Sequence, residues 1–215
     1  NKCLIHTSFS SNSAWPYDWS EFCPPASCGD LVSHDGYDYS TVLIGEQCWF
    51  SENCRFLPTV SPPIWSDWEP YCFVYDYEGN DVTAAKETDN YEVYGVLYNW
   101  TAAMEFDICP SGWHIPSGEE FTQLTDFLGG ESVAGTAMKS TSGWNNNGNG
   151  SNSSGFTGLP GGHCGHFGFL TNGNWWTSSG ASINSSYRRM EYNFGGVYQN
   201  NTDQSEGYSA RCVRD

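Results

Sequence analysis

Apolar and polar positions change period several times along the chain, and each change predicts an element. After Asp35-Gly36, the residues Tyr37, Tyr39, Val42 and Ile44 alternate with polar neighbours, and a two-residue Asp-Gly turn beside such alternation predicts a β-hairpin. In "EVYGVLYNWTAAMEF", Val93, Val96, Leu97, Trp100 and Met104 recur at helical spacing, which predicts one helix. A second helix is marked at both ends. Ser117 with Glu120 three places on makes a capping box, Phe121, Leu124 and Phe127 or Leu128 form one apolar face, and Gly129-Gly130 stop it.

Between these elements lie breakers. Residues 57 to 70, "LPTVSPPIWSDWEP", carry four prolines and read as loop, as does the Gly, Asn and Ser run "STSGWNNNGNGSNSSGF". The remainder reads as short strands: "GFTGLP", "HFGFL", "NWWTSS", "SYRRMEYNF" and "GYSARCV". Residues 1–27 lack a helical period and are punctuated by Ser and Pro, so they read as an extended arm ahead of a single domain over 28–215. The expected class is α+β, with two helices and short antiparallel strands.

Composition sharpens this picture. Aromatic residues make up 16% of the 215 positions, enough to fill a core with few large rings. The formal net charge of −17 repels phosphate backbones and anionic lipid, so nucleic acid is excluded as a natural partner. No window is apolar enough to insert directly in a membrane, and no charged-then-apolar leader stands at Asn1, as expected of a mature secreted chain. Nine cysteines without a CxxC pair or a zinc-type spacing predict disulfides and an oxidising, extracellular or cell-surface location. Cys23 and Cys28 flank "CPPASC", a short loop that they are placed to close. An odd count leaves one thiol over, and Cys3, the most peripheral, is expected to be free or intermolecular.

Seven ordered segments, "DGYDYSTVLIGEQCWFSEN", "YGVLYNWTAAM", "ICPSGWHIPSGEEFTQL", "GTAMKSTSGW", "GFTGLPGG", "WWTSS" and "SARCVRD", resemble the Fibrobacter succinogenes major paralogous domain family over about residues 30–215. The resemblance implies a secreted or surface-attached protein with no enzymatic activity established for the family. The order of helix, "W-x-I-P-S-x-x-E" corner, second helix, Trp-rich strand and terminal "RC-V" strand is also similar to the C-type-lectin-like and formylglycine-generating-enzyme folds. It implies, too, that Cys109 bonds Cys212, tying the corner before the second helix to the last strand. Cys48 and Cys54 depart from the family pattern; with Cys72 and Cys164 they suggest extra bridges, in any of three pairings.

Candidate chemistry is sparse. His114 has no nucleophile or orienting acid in its motif and reads as structural. His163, Cys164 and His166 are closely spaced, but no third and fourth metal ligand can be named. Cysteine chemistry of the formylglycine-generating type would fall to Cys212, which reads as structural. Asp76, Glu78, Asn80 and Asp81 put oxygen ligands on a Gly-containing turn of the type Ca²⁺ prefers, against the alternative of a solvated hairpin tip. Sequons place N-linked glycans at Asn149, Asn152, Asn184 and Asn200 in polar loops, whereas Asn99 falls inside the first predicted helix and is shielded.

Two functions follow. The first is a non-enzymatic structural glycoprotein, the subunit of an extracellular filament or surface assembly in which the arm contacts a neighbouring copy; it requires no cofactor beyond glycans and possible structural Ca²⁺. The second is a carbohydrate-binding adhesion module presenting Trp175, Trp176 and Tyr187 to a sugar, unless "NWWTSS" is simply a core strand.

Overall fold

A computed structural model of the chain describes residues 27–63, 69–164, 167–181 and 184–214, the side chain of Ala181 apart. Strands β1 (Val32–His34) and β2 (Tyr37–Tyr39) form the expected hairpin, with Asp35 and Gly36 both at positive φ as the Asp-Gly turn requires. The alternation then breaks at Ser40. Strand β3 (Thr41–Ile44) pairs instead with β4 (Gln47–Phe50), and β4 pairs on its other side with β11 (Val213–Arg214). All four β4 residues are buried, so this strand is covered on both faces.

The run from Val93 to Met104 is not one helix. It holds the end of α2 (Asp89–Tyr94), the two-residue strand β6 (Leu97–Tyr98) and α3 (Trp100–Glu105). Gly95 makes the break: its φ is +73°, and a Cβ there would lie 2.7 Å from the Cys54 carbonyl oxygen. Asn99 is the N-cap of α3, where its Oδ1 accepts the Ala102 N–H, and it is wholly buried. Helix α1 (Val82–Lys86) precedes α2, and two further helices follow, α4 (Gly118–Phe127) and α5 (Ala134–Met138). The described residues therefore hold five short α-helices rather than the expected two, with one 3-10 turn at Asn145–Asn147.

The largest sheet contains β5 (Cys72–Phe73), β6, β7 (Asn172–Ala181), β8 (Asn184–Glu191), β9 (Tyr198–Asp203) and β10 (Tyr208–Ser209) in the order β5-β6-β10-β7-β8-β9. Its pairings are antiparallel except for β10 with β7. Among the described residues, "GFTGLP" and "HFGFL" contribute only isolated bridges, at Gly158 with Lys139 and at Phe167 with His163. The Gly/Asn run after Trp144 is held by contacts with the end of α5: the N–H groups of Gly150, Ser151 and Asn152 donate to the carbonyls of Ser140, Thr136 and Lys139. The molecule is thus mixed α and β, with few helices, several antiparallel sheets and two disulfides among the described residues.

Because successive strand residues point to opposite faces, neighbours feed different halves of the core. Trp175 joins Trp49, Phe121 and Phe156 on one side, while Trp176 joins Tyr98, Tyr187 and Tyr208 on the other. Cys109 and Cys212 are bonded, as the resemblance implied. The other pairings differ from expectation. Cys28 bonds Cys48 across 20 residues, not Cys23, which lies outside the described residues, as does Cys3. With Cys48 so engaged, none of the three pairings among Cys48, Cys54, Cys72 and Cys164 forms; Cys54 and Cys72 are buried thiols.

Candidate functional site

Helix α4 is built as its sequence prescribes. Ser117 Oγ accepts the Glu120 N–H at 3.1 Å, and Glu120 Oε2 accepts the Ser117 N–H at 2.6 Å. Burial of Glu120 disfavours its ionised form, but the Ser117 N–H and His114 outweigh that and hold its carboxyl below the usual range. His114 Nε2 lies 2.6 Å from Glu120 Oε1, and the His114 backbone exchanges hydrogen bonds with Val213, so this histidine ties the helix start to β11. Trp113 packs on Phe50 with ring centroids 4.8 Å apart.

A buried arginine sets α4 against the sheet. Arg188, on β8 and wholly inaccessible, bonds Glu131 Oε1 at 2.6 Å and donates to the Gly118 carbonyl and to Thr122 Oγ1. The end of β7 completes the join: Ser179 Oγ accepts the Gly118 N–H, and Ser178 donates its own N–H to the Pro116 carbonyl. Between α4 and strands β7, β8 and β9 this leaves an open groove of about 700 Å³. It is lined by Glu119 and Thr122 from the helix and by Ser179, Asn184, Ser186, Gln199 and Asn201 from the strands. Amides and hydroxyls dominate, with one carboxylate and no aromatic ring, so the groove suits a neutral hydrogen-bonding ligand or an extended backbone.

The groove reaches the edge strand of the sheet, β9. On its inner side β9 pairs with β8, Ser186 opposite Asn201 and Arg188 opposite Gln199. On its outer side β9 meets no strand among the described residues. Its sequence, Tyr-Gln-Asn-Asn-Thr-Asp, carries no lysine or proline and a single charge at its last residue. Edges that stay unpaired are ordinarily guarded by such residues.

The predicted sugar-binding residues lie elsewhere. Trp175 and Trp176 are both 0% exposed and Tyr187 only 7%. Their polar atoms face inward too: Trp175 Nε1–H donates to Asn53 Oδ1 and Trp176 Nε1–H to the Tyr98 carbonyl. None offers a ring face to a ligand, and "NWWTSS" is a core strand. The stretch considered for calcium begins a helix. Asp81 is the N-cap of α1, with Oδ1 accepting the Thr83 and Ala84 N–H groups, so Asp76 to Asp81 is a lead-in to a helix and not a hairpin tip. No three His, Cys, Asp or Glu residues among those described are grouped to hold a metal ion. His163 Nδ1 lies 3.1 Å from Glu206 Oε2, while His166 falls outside the described residues.

Of the four sequon asparagines expected in loops, Asn149 is exposed, with its Oδ1 accepting the Trp144 N–H. Asn152 is half-buried and bonds Thr157 through both Oδ1 and Nδ2. Asn184 and Asn200 lie not in loops but on β8 and β9, and Asn184 lines the groove.

A polar hub lies in the core without a signature in the hydrophobic pattern. Asn53 Oδ1 accepts from Trp175 Nε1 at 2.9 Å and from Arg211 Nη2 at 2.6 Å, while its Nδ2 donates to the Tyr94 carbonyl and to Ser209 Oγ. Arg211 is wholly buried, its guanidinium donating also to the Phe50 and Phe156 carbonyls and stacking 4.1 Å above the Phe156 ring. Burial pulls its pKa down to about 9. Lys139 is a second such cation, with Nζ donating to the Glu191 and Phe194 carbonyls at 3.0 Å. All these residues stand in or beside the ordered segments, and the family comparison agrees: the model of the Fibrobacter succinogenes major domain matches residues 42–214. The chain belongs to this family. No curated protein and no solved structure matches it. No helix among the described residues is long and apolar enough to cross a membrane, and the disulfides are consistent with an extracellular location.

Proposed function

We propose that this chain is a secreted, non-enzymatic structural glycoprotein that assembles by strand addition, the amino-terminal segment of one copy pairing with β9 of the next. The observation that carries the reading is the unguarded β9 edge beside a polar groove. An added strand would satisfy the outward N–H and C=O groups of β9, and its alternate side chains would lie over the groove. Residues 3–10, "CLIHTSFS", have a suitable pattern: Ile5, Thr7 and Phe9 alternate with His6, Ser8 and Ser10. The 26 residues ahead of Ser27 span up to about 86 Å when extended, ample for reaching a neighbour. We place the domain in the C-type-lectin-like class on the strength of its capped helix, its antiparallel sheet and the disulfide before its final strand. Glycans at Asn149, Asn152, Asn184 and Asn200 belong to the same proposal, and one at Asn184 would start from the groove lining.

The test is assembly by the full chain and by a chain lacking residues 1–26, followed by sedimentation velocity. The reading expects polymers from the first and a folded monomer from the second. Polymers of the same size from both would overturn it. Carbohydrate binding is the second reading, favoured by the amide and hydroxyl lining of the groove and no longer by Trp175, Trp176 or Tyr187. Loss of glycan binding on Asn201→Ala, in a chain that remains monomeric, would select it.

A further inference from the structure

Three sulfurs meet in the core. Cys54 Sγ lies 3.4 Å from Cys212 Sγ, which is itself bonded to Cys109. Backbone hydrogen bonds hold the approach in register: the Cys54 N–H donates to the Ala210 carbonyl and the Phe50 N–H to the Cys212 carbonyl. Both Cys54 and Cys212 are 0% exposed. Cys109 is different, for it is half-buried and lines a surface cleft of about 540 Å³ with His34, Asp107, Pro110, Ser111 and Trp113. One end of this disulfide therefore touches a buried thiol and the other faces a cleft.

We propose that Cys54 exchanges with the Cys109–Cys212 disulfide, making Cys109 a latent surface thiol. The Cys54 thiol loses its proton and its sulfur attacks Cys212 Sγ. A Cys54–Cys212 bond forms as the Cys109–Cys212 bond breaks, and the electron pair leaves on Cys109 sulfur, which takes up a proton in the cleft. One thiol and one disulfide are present before and after, so neither an oxidant nor a reductant is consumed. The released thiol is where a disulfide or electrophile on another molecule would be captured.

Burial pushes the Cys54 thiol up to about 12; Arg211 pulls it down and Glu52 adds to the rise, while the phenols of Tyr39 and Tyr98 also face it. Exchange at neutral pH is accordingly slow, on the scale of minutes to hours for uncatalysed rearrangement.

The experiment treats the folded full chain with iodoacetamide for hours in mildly alkaline buffer, then maps the peptides after acidic, non-reducing digestion. The expected result is carbamidomethylated Cys109 together with a Cys54–Cys212 cross-linked peptide, and a fall in Cys109 labelling of at least about tenfold in Cys54→Ala. Failure to find the cross-linked peptide in the native sequence overturns the proposal, as does equal Cys109 labelling in a folded Cys54→Ala chain. Should that variant not fold, the cross-linked peptide from the native sequence decides alone.

Discussion

Replacing Asn53 by leucine tests the buried hub at nearly constant volume. Asn53 is 3% exposed, and its side chain serves two donors and two acceptors. Leucine leaves the Trp175 indole N–H without a partner, at about 1–3 kcal/mol, and removes a charged-donor bond from Arg211, at about 1.5–3 kcal/mol. The Ser209 hydroxyl can rotate, so its loss adds little. The added apolar surface of leucine offsets about 1 kcal/mol. The net expectation is a loss of about 3 kcal/mol, or a fall in Tm of about 6–12 °C for a chain of this size. Urea unfolding with disulfides intact, followed by Trp fluorescence, measures it. Asn53→Asp keeps both acceptor contacts and places a carboxylate on Arg211 but turns an oxygen toward the Tyr94 carbonyl, so it should cost about 1–2 kcal/mol, less than leucine. A loss below about 1 kcal/mol for leucine, or an equal loss for aspartate and leucine, would refute the assignment of Asn53 as the acceptor that keeps Arg211 and Trp175 buried.

Two further predictions concern backbone and pH. Gly95→Ala should destabilise by more than about 1 kcal/mol in the same assay, because φ is +73° and the new Cβ would meet the Cys54 carbonyl; an unchanged midpoint would mean that the chain relaxes there freely. The Glu120 carboxyl is held below its ordinary value of 4.5, so its contribution to stability is whole above about pH 4.5 and is lost as pH falls through the lower folded value. Glu120→Gln should therefore flatten the acid limb of stability against pH, and a limb of the same steepness would assign the acid loss to other carboxylates.

Where local chemistry decided the structure, it was legible. The Asp35-Gly36 turn and the Ser117–Glu120 cap each need only residues a few places apart, and both stand where the pattern put them. The helix read through Val93 to Met104 failed because a 3.6-residue spacing of apolar positions is the same whether or not the chain turns at Gly95. What ended α2 was a close backbone approach from Cys54, 41 residues away, and what started α3 was the Asn99 cap. Trp175 and Trp176 resembled an aromatic platform because both are large and adjacent. In a strand covered on both sides, adjacent residues enter opposite halves of the core. The groove was hidden for the reverse reason: β9 has no apolar alternation, and only Tyr198 and Thr202 hint at a strand. Asn53 and Arg211 were invisible in the pattern because a buried polar hub is defined by its partners. Cys28 found Cys48 and not its sequence neighbour Cys23 because the bridge joins the segment before β1 to β4, a proximity that only the fold creates.

Cryo-electron microscopy of the full chain at near-neutral pH and physiological salt, where screening weakens repulsion between subunits of net charge −17, tests strand addition at β9 directly. Strand addition predicts filaments or sheets in which density for residues 1–26 of one copy continues the sheet beyond β9 of the next. Dispersed particles of 23.9 kDa, or an assembly whose contacts leave β9 facing solvent, would contradict it.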